Sequence, residues 1–391
     1  MFGAIYIGLS GLNAYASGLQ QVSNNVSNLN SNGFKGTTVG FTNFLGANGG
    51  GLSLSGSKSI AGGVAMANGL TDFSQGELRQ TNRDLDLSVD GAGFLVLMKG
   101  DQLYYTRTGS FEVDKDGFVV LAGTDYRLAT LDGSGRTVSL SIDGSRTNPP
   151  TPTTTIKFAD NISSTATSYG LSDIKVYDAS GQEHVWQVQF SRSATAVPGE
   201  WTVKVTDDKA VVVGEQMLKF NLGAVDPTTK KLIFQDAAST LSVTLDFSEN
   251  VTSYSSGQVS TLRTSSVDGH KVGTVSSLTI NADGEVELGY SNQQKEELGP
   301  VAIADFRDPQ SLVQRSGGLY VDNGSSGREL LTSESQKVGR VVSRRLEASN
   351  VDLARQFGDL IIIQRGYQAS SQIVSVANEM IQQLFGIRGQ G

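Results

Sequence analysis

Cysteine is absent from this sequence, which excludes disulfides, thiol nucleophiles and thiolate metal sites, and lets the chain fold without oxidative help in any compartment. Histidine occurs only as His184 and His270, each without a neighbouring partner in sequence, too few for a metal centre or acid–base chemistry. Charge is scarce as well: 18% of the 391 residues are charged, and residues 1–71 hold only Lys35 and Lys58. The formal net charge is −8 and no basic stripe is visible, so no nucleic-acid partner is expected. No basic segment precedes Lys35, so export, if it occurs, is expected without a cleaved signal. The apolar stretch from Phe2 to Leu19 is interrupted by Ser10, Asn13 and Ser17 and weakened by Gly3, Gly8, Gly11 and Gly18, so no membrane insertion is expected. No G-x-S-x-G, P-loop or H-E-x-x-H is present. The expectation is a non-enzyme with no catalytic residues, no cofactor and no metal.

What replaces charge is Ser, Thr, Asn, Gln and 46 glycines, a composition suited to turn-rich β-structure. The length favours two or three domains. The two ends differ from the middle. Ile5, Leu12, Leu19 and Val26 recur every seven residues near the N-terminus, and Leu353, Leu360, Tyr367, Val374 and Ile381 do so near the C-terminus. A seven-residue repeat keeps one side of a helix toward a partner. These nine residues are the expected self-assembly seam. A helix is predicted over 4–30, with Gly8, Tyr15, Val22 and Leu29 at the second seam position and small Ala4, Gly11 and Gly18 flanking it. It ends at Asn32-Gly33, a left-handed stop. A second helix is predicted over 350–385, with Ser349 and Asp352 as a capping box or Asn350 as N-cap, and with Ile363, Ala377 and Leu384 at the second position. Whether the helices pair within one chain or between copies is open at this level. The glycines make the first helix weak alone, so both ends are expected to order on assembly.

Between the ends the pattern is β. Residues 36–70, with Gly49-Gly50-Gly51, read as a linker or extended arm. Leu85, Leu87 and Val89 alternate with Asp84, Asp86 and Ser88, and Asp90-Gly91 and Asp116-Gly117 separate apolar runs at 94–97 and 118–121. Asn148-Pro149-Pro150 marks a boundary, after which 174–177, 185–190 and 201–205 are the clearest strands. The expected organisation is an N-terminal helix and arm (1–70), an inner β-domain (71–145 with 285–345), an inserted outer β-domain (146–284) and a C-terminal helix (346–391). The fold class is mainly β with coiled-coil-like terminal helices. Asp84, Asp86 and Asp90 cluster, and Asp114-Lys115-Asp116-Gly117 forms a D-x-D-G, but the twelve-residue calcium loop is missing, so these read as turn and strand-edge carboxylates. Tyr15 and Tyr367 fall on the seams and read as packing residues.

Several co-linear blocks resemble the axial proteins of the bacterial flagellum, the rod and hook family. They are Val22-Ser23-Asn24-Asn25-Val26-Ser27-Asn28-Leu29-Asn30-Ser31-Asn32-Gly33-Phe34-Lys35, then Phe73-Ser74-Gln75-Gly76-Glu77-Leu78, Leu85-Asp86-Leu87, Gly91-Ala92-Gly93-Phe94 and Tyr105-Thr106-Arg107-Thr108-Gly109-Ser110-Phe111. Near the C-terminus they are Leu346-Glu347-Ala348-Ser349-Asn350-Val351-Asp352-Leu353 and Gln364-Arg365-Gly366-Tyr367-Gln368-Ala369. The large insert resembles the hook branch rather than the shorter rod proteins. Gln356-Phe357-Gly358 and Gly366 depart from the expected pattern. The resemblance implies a helical homopolymer: terminal helices inside, the first β-domain around them and the insert outside, its polar surface sliding on its neighbours. It implies a short curved tube that acts as a universal joint passing motor torque to the filament. It also implies type III export to the extracellular basal body and hook, and contacts with rod and hook–filament junction proteins and with a hook cap. A distal rod or hook-associated component is the alternative, and a secreted enzyme or adhesin with a helical stalk is the more distant one.

Overall fold

A computed structural model describes residues 2–44, 63–67, 69–192, 199–236, 241–333 and 337–388. The fold is mainly β, with one helix at each end of the chain. It divides into two compact units, one of residues 1–143, 278–287 and 297–391 and one of 144–277 and 288–296. The block 146–284 expected for the insert is thus shared out differently at its end, with 278–287 in the first unit and 288–296 in the second.

In the first unit, helix α1 (Phe2–Ser27) contains no proline and no charge. It stops three residues before the expected 30, because the Asn28 side chain donates back to the Asn24 carbonyl at 2.9 Å and Ser31 N closes a turn on the Asn28 carbonyl at 3.1 Å. Gly33 then takes φ +68°. The described parts of the expected linker are ordered pairing: Phe41–Phe44 runs antiparallel to Gly63–Met66, Thr38 N donates to the Leu70 carbonyl and Asp72 N to the Gly36 carbonyl. Gly49-Gly50-Gly51 and Lys58 lie outside the described residues. Helix α2 (Leu353–Arg388) is capped neither by Ser349 nor by Asn350. Asp352 Oδ1 accepts from Ala354 N at 2.8 Å and Arg355 N at 3.3 Å, which frees Asn350 for a role described below. The Leu384 side chain lies outside the described residues. No helix among the described residues is long and apolar enough to cross a membrane.

The β part of this unit is an antiparallel sheet in which Gln102–Thr106, Phe94–Lys99, Arg127–Leu131, Val119–Leu121, Thr108–Val113, Asp86–Asp90 and Arg340–Ser343 lie in that order. Phe94 packs edge-on to Phe306 and Tyr320, and Phe73 joins them, so an aromatic cluster fills the core. In the second unit Ser168–Tyr177, Glu183–Ser191, Glu200–Thr206 and Val212–Asn221 form an antiparallel meander. Trp186, Val188 and Phe190 face inward with Trp201, Val203 and Val205, the period of two that buries alternate residues. The expected strands at 174–177, 185–190 and 201–205 all fall inside this meander.

Of the two Asp-Gly signals, Asp116-Gly117 lies in a hairpin of a recurring design, whereas Asp90-Gly91, with Gly91 at φ +148°, joins two strands that do not pair with each other. Asp114, Asp132, Asp178, Asp207 and Asn281 each accept, through Oδ1, the backbone N–H four residues on, at 2.7–2.9 Å. The residue between, Gly117, Gly135, Gly181, Ala210 or Gly284, takes φ from +61° to +82°. Asp114 therefore holds a turn. Asp84 pairs with Arg344 at 2.5 Å and Asp90 with Arg340 at 3.6 Å, while Asp86 is buried 3.8 Å from Arg83 Nε. His184 Nε2 lies 3.5 Å from Asp178 Oδ2, and His270 Nδ1 lies 3.1 Å from Asn292 Nδ2.

Candidate functional site

The two helices pack against each other within one chain, and glycine decides how closely. A Cβ at Gly8 would fall 2.6 Å from Val374 Cγ2, at Gly11 2.5 Å from Ser370 Oγ, and at Gly18 3.3 Å from Ile363 Cδ1. On α2, Gly366 faces the Tyr15 ring, where a Cβ would come within 2.3 Å. Tyr15 also meets Phe41 with ring centroids 4.9 Å apart. Gly366, a departure from the expected pattern, is thus the seat of an aromatic ring.

The buried line consequently runs along Gly8, Gly11, Ala14, Gly18 and Val22 on α1, and along Gln356, Ile363, Ser370 and Ala377 on α2. The seven-residue seams lie beside this line. Ile5, Leu12, Val26, Leu360, Val374 and Ile381 are half-buried, and Leu19, Leu353 and Tyr367 are exposed. Large apolar residues mark the rim where α1 presents glycine and alanine at the centre, and Val22, Gln356 and Ile363 are the larger side chains that the buried line also holds. Two open grooves follow. One, of about 650 Å³, is lined by Tyr6, Leu9, Leu12, Ala16 and Tyr367. The other, of about 430 Å³, is lined by Ala4, Ala369, Ile373, Val376 and Met380. Ile362 is 63% exposed and Leu9 59%. Apolar surface of this extent marks an interaction face.

Near Gln356 the helix pair is pinned by polar groups. Asn25, 1% exposed, donates to Gln356 Oε1 at 3.0 Å and to the Thr37 carbonyl at 2.8 Å, and accepts from Thr37 N at 3.1 Å. A buried amide pair of this kind fixes the axial register of two helices.

Beyond it lies a feature that sequence reasoning missed. Lys35, Arg107 and Glu347 are all buried together. Lys35 Nζ donates to Glu347 Oε1 at 2.5 Å and to the Ser74 carbonyl at 2.6 Å. Arg107 Nε donates to Glu347 Oε2 at 3.4 Å, and its terminal nitrogens donate to the Gly91 and Gly93 carbonyls. Gly76 N donates to Glu347 Oε1 at 2.8 Å and Gly33 N to the Glu347 carbonyl at 2.7 Å. Gly76 has to be glycine, since a Cβ there would sit 2.1 Å from the Ala348 carbonyl oxygen. Asn350 completes the clamp, donating to the Asp72 carbonyl at 2.7 Å and accepting from Gly36 N at 2.8 Å. Burial pushes the Lys35 ammonium and the Arg107 guanidinium below their ordinary values against the pull of Glu347. Burial pushes the neighbouring Tyr320 hydroxyl up to about 12.

The node joins the segment after α1, the loops at 73–76 and 91–93, the strand Gln102–Thr106 with the residues that follow it, and the segment before α2. Each contributes one of the sequence blocks noted above. Lys35 and Arg107 are the lone charges of their blocks, but Glu347 shares its block with Asp352, and nothing in the sequence singled out the three together.

The chain resembles known flagellar proteins along nearly its whole length. Residues 342–387 match the C-terminal model of flagellar basal body rod proteins, 88–165 the D1 domain of flagellar hook proteins, and 141–285 the D2 domain of flagellar basal body proteins. The flagellar hook protein of Salmonella typhimurium is 28% identical, over 97% of this chain and 98% of its own length. That of Treponema pallidum is 26% identical, over 99% of this chain and all of its own. That of Escherichia coli is 28% identical, over 97% and 98%.

Proposed function

Because the chain belongs to the flagellar rod and hook axial family, as a structural subunit of the flagellar hook, we propose that its copies stack into a curved helical tube that bends while passing torque to the filament. The exposed apolar flanks of the helix pair carry this reading. They have no partner within the described residues, and neighbouring copies in a head-to-tail stack cover such faces without closing into a ring. The Lys35–Arg107–Glu347 node is the stiff joint: it fixes the roots of both helices to the β-sheet, so that a twist applied inside reaches the outside. The subunit is not a catalyst. It is exported to the hook, and its weakly helical, nearly uncharged ends suit passage in an unfolded state. In the flagellum it meets rod and junction proteins at the two ends of the tube and a cap during growth. Electron microscopy of the purified chain under polymerising conditions tests the proposal. Curved tubes are expected; a chain that only adds to the end of another protein's tube would be a rod or hook-associated component instead.

A further inference from the structure

Asparagine is followed by glycine at Asn32, Asn48, Asn68 and Asn323. Such a pair can close on itself, because the glycine has no side chain to hinder attack of its nitrogen on the asparagine amide. Asn48 and Asn68 lie outside the described residues. The other two sit in opposite surroundings. At Asn32 the attacking nitrogen is tied down. Gly33 is buried, its N–H donates to the Glu347 carbonyl at 2.7 Å beside the Lys35–Arg107–Glu347 node, and a Cβ on it would fall 2.9 Å from Thr108 Cγ2. A carbonyl accepts that hydrogen bond but does not take the proton.

Asn323 lies in the loop between the strands Leu319–Val321 and Arg328–Leu331, and Asn323, Gly324 and Ser325 are all exposed. Gly324 has φ +90°, and a Cβ on it would meet nothing within 4 Å. Its N–H donates to Asp322 Oδ1 at 2.8 Å. Asn323 Oδ1 accepts from Ser325 Oγ at 2.6 Å and from Ser325 N at 3.2 Å. The nucleophilic nitrogen thus faces a carboxylate base, and the oxygen that gains charge during attack already has two donors. We propose that Asn323 is a self-modification site, converted to aspartate and isoaspartate by the base and the donors of its own loop. Gly324 N gives its proton to Asp322 and bonds to Asn323 Cγ, while Ser325 holds the oxyanion. The Cγ–Nδ2 bond then breaks, and ammonia leaves with the proton returned by Asp322, which closes a succinimide ring. Water attacking Cγ opens the ring to aspartate. Water attacking the main-chain carbonyl carbon leaves the chain running through the side chain, as isoaspartate. Asparagine and water become an acid and ammonia, with no oxidant or cofactor. The product sets a second carboxylate next to Asp322, which lines an open cavity with Arg315 and Arg328. The first unit therefore gains negative charge as the molecule ages, whether or not it has assembled.

The test is peptide mapping by mass spectrometry, with isoaspartate counted, on the purified full chain held at mildly alkaline pH. Asn323 converts about tenfold faster than Asn32. Asp322→Ala slows Asn323 about tenfold, less than a base matched to the operating pH would give, because a carboxylate is weak there. Ser325→Ala, which keeps the base, slows it about tenfold through loss of one oxyanion donor. Unfolding in urea removes the difference between the two sites and the effect of both substitutions. Equal conversion at Asn32 and Asn323 in the folded chain, or an undiminished rate at Asn323 in either variant, overturns the proposal.

Discussion

Lys35 and Glu347, 312 positions apart in sequence, meet with Nζ 2.5 Å from Oε1 and with both side chains fully buried. Glu347 also faces Arg107, so one carboxylate holds two buried cations. Taking such charges out of water is costly, and the arrangement holds only while the carboxylate and the surrounding carbonyls remain in place. Removing the negative member leaves two uncompensated positive charges. Glu347→Gln therefore lowers the stability of the first unit by about 3–5 kcal/mol. Far-UV circular dichroism during urea unfolding reads this loss. Both tryptophans lie in the core of the second unit, so the tryptophan fluorescence transition stays where it is.

Gly358 and Gly366 of α2 respond oppositely to alanine. At Gly358 a Cβ meets nothing within 4 Å, so Gly358→Ala stabilises the helix by up to about 1 kcal/mol. At Gly366 the same change drives a methyl into the Tyr15 ring and lowers the melting temperature of the helix pair despite the better propensity. Thermal melts followed at 222 nm distinguish the two.

Ala210 is the odd member of the five hairpins, holding φ +61° where the others have glycine. Ala210→Gly relieves the strain and raises the stability of the second unit by about 1 kcal/mol. Urea unfolding followed by tryptophan fluorescence measures it directly, because Trp186 and Trp201 sit in that unit.

Asp178 is held at about 2, first by the Ser180 hydroxyl and then by the Gln182 backbone N–H. Its folded value lies below its unfolded value near 3.8, so the stabilisation it gives is complete above pH ~4 and fades as pH falls toward 2. Asp178→Asn keeps the turn, as Asn281 does in its own hairpin, but has no carboxylate to titrate. Between pH 5 and 2 the variant loses less stability than the unsubstituted chain, as melting temperatures across that range show.

The elements were legible where the chain's own periodicity set them. Seven-residue spacing marked both helices and alternation marked the strands of the second unit, whereas Asn32-Gly33, expected to end the first helix, lies past its end at Ser27 even though Gly33 is left-handed. The contact face between the helices was not legible from hydrophobicity. Close approach buries Gly8, Gly11 and Ser370 beside the larger Val22, Gln356 and Ile363 and leaves Leu19 and Tyr367 outside, so apolar character alone does not select the buried line. The node was illegible for a different reason. Lys35, Arg107 and Glu347 are local to nothing, and only the folded sheet brings them within reach of one another.

Amide hydrogen exchange on dilute monomer and on assembled tubes bears most directly on the role of the two helices. With their apolar flanks uncovered, residues 2–27 and 353–388 exchange quickly in the monomer, while the strands around Trp186 and Phe94 are protected. In tubes both helices become as slow as the strands. Helices already fully protected in the dilute monomer, in a chain that forms no tubes, would contradict the assignment of these surfaces to assembly.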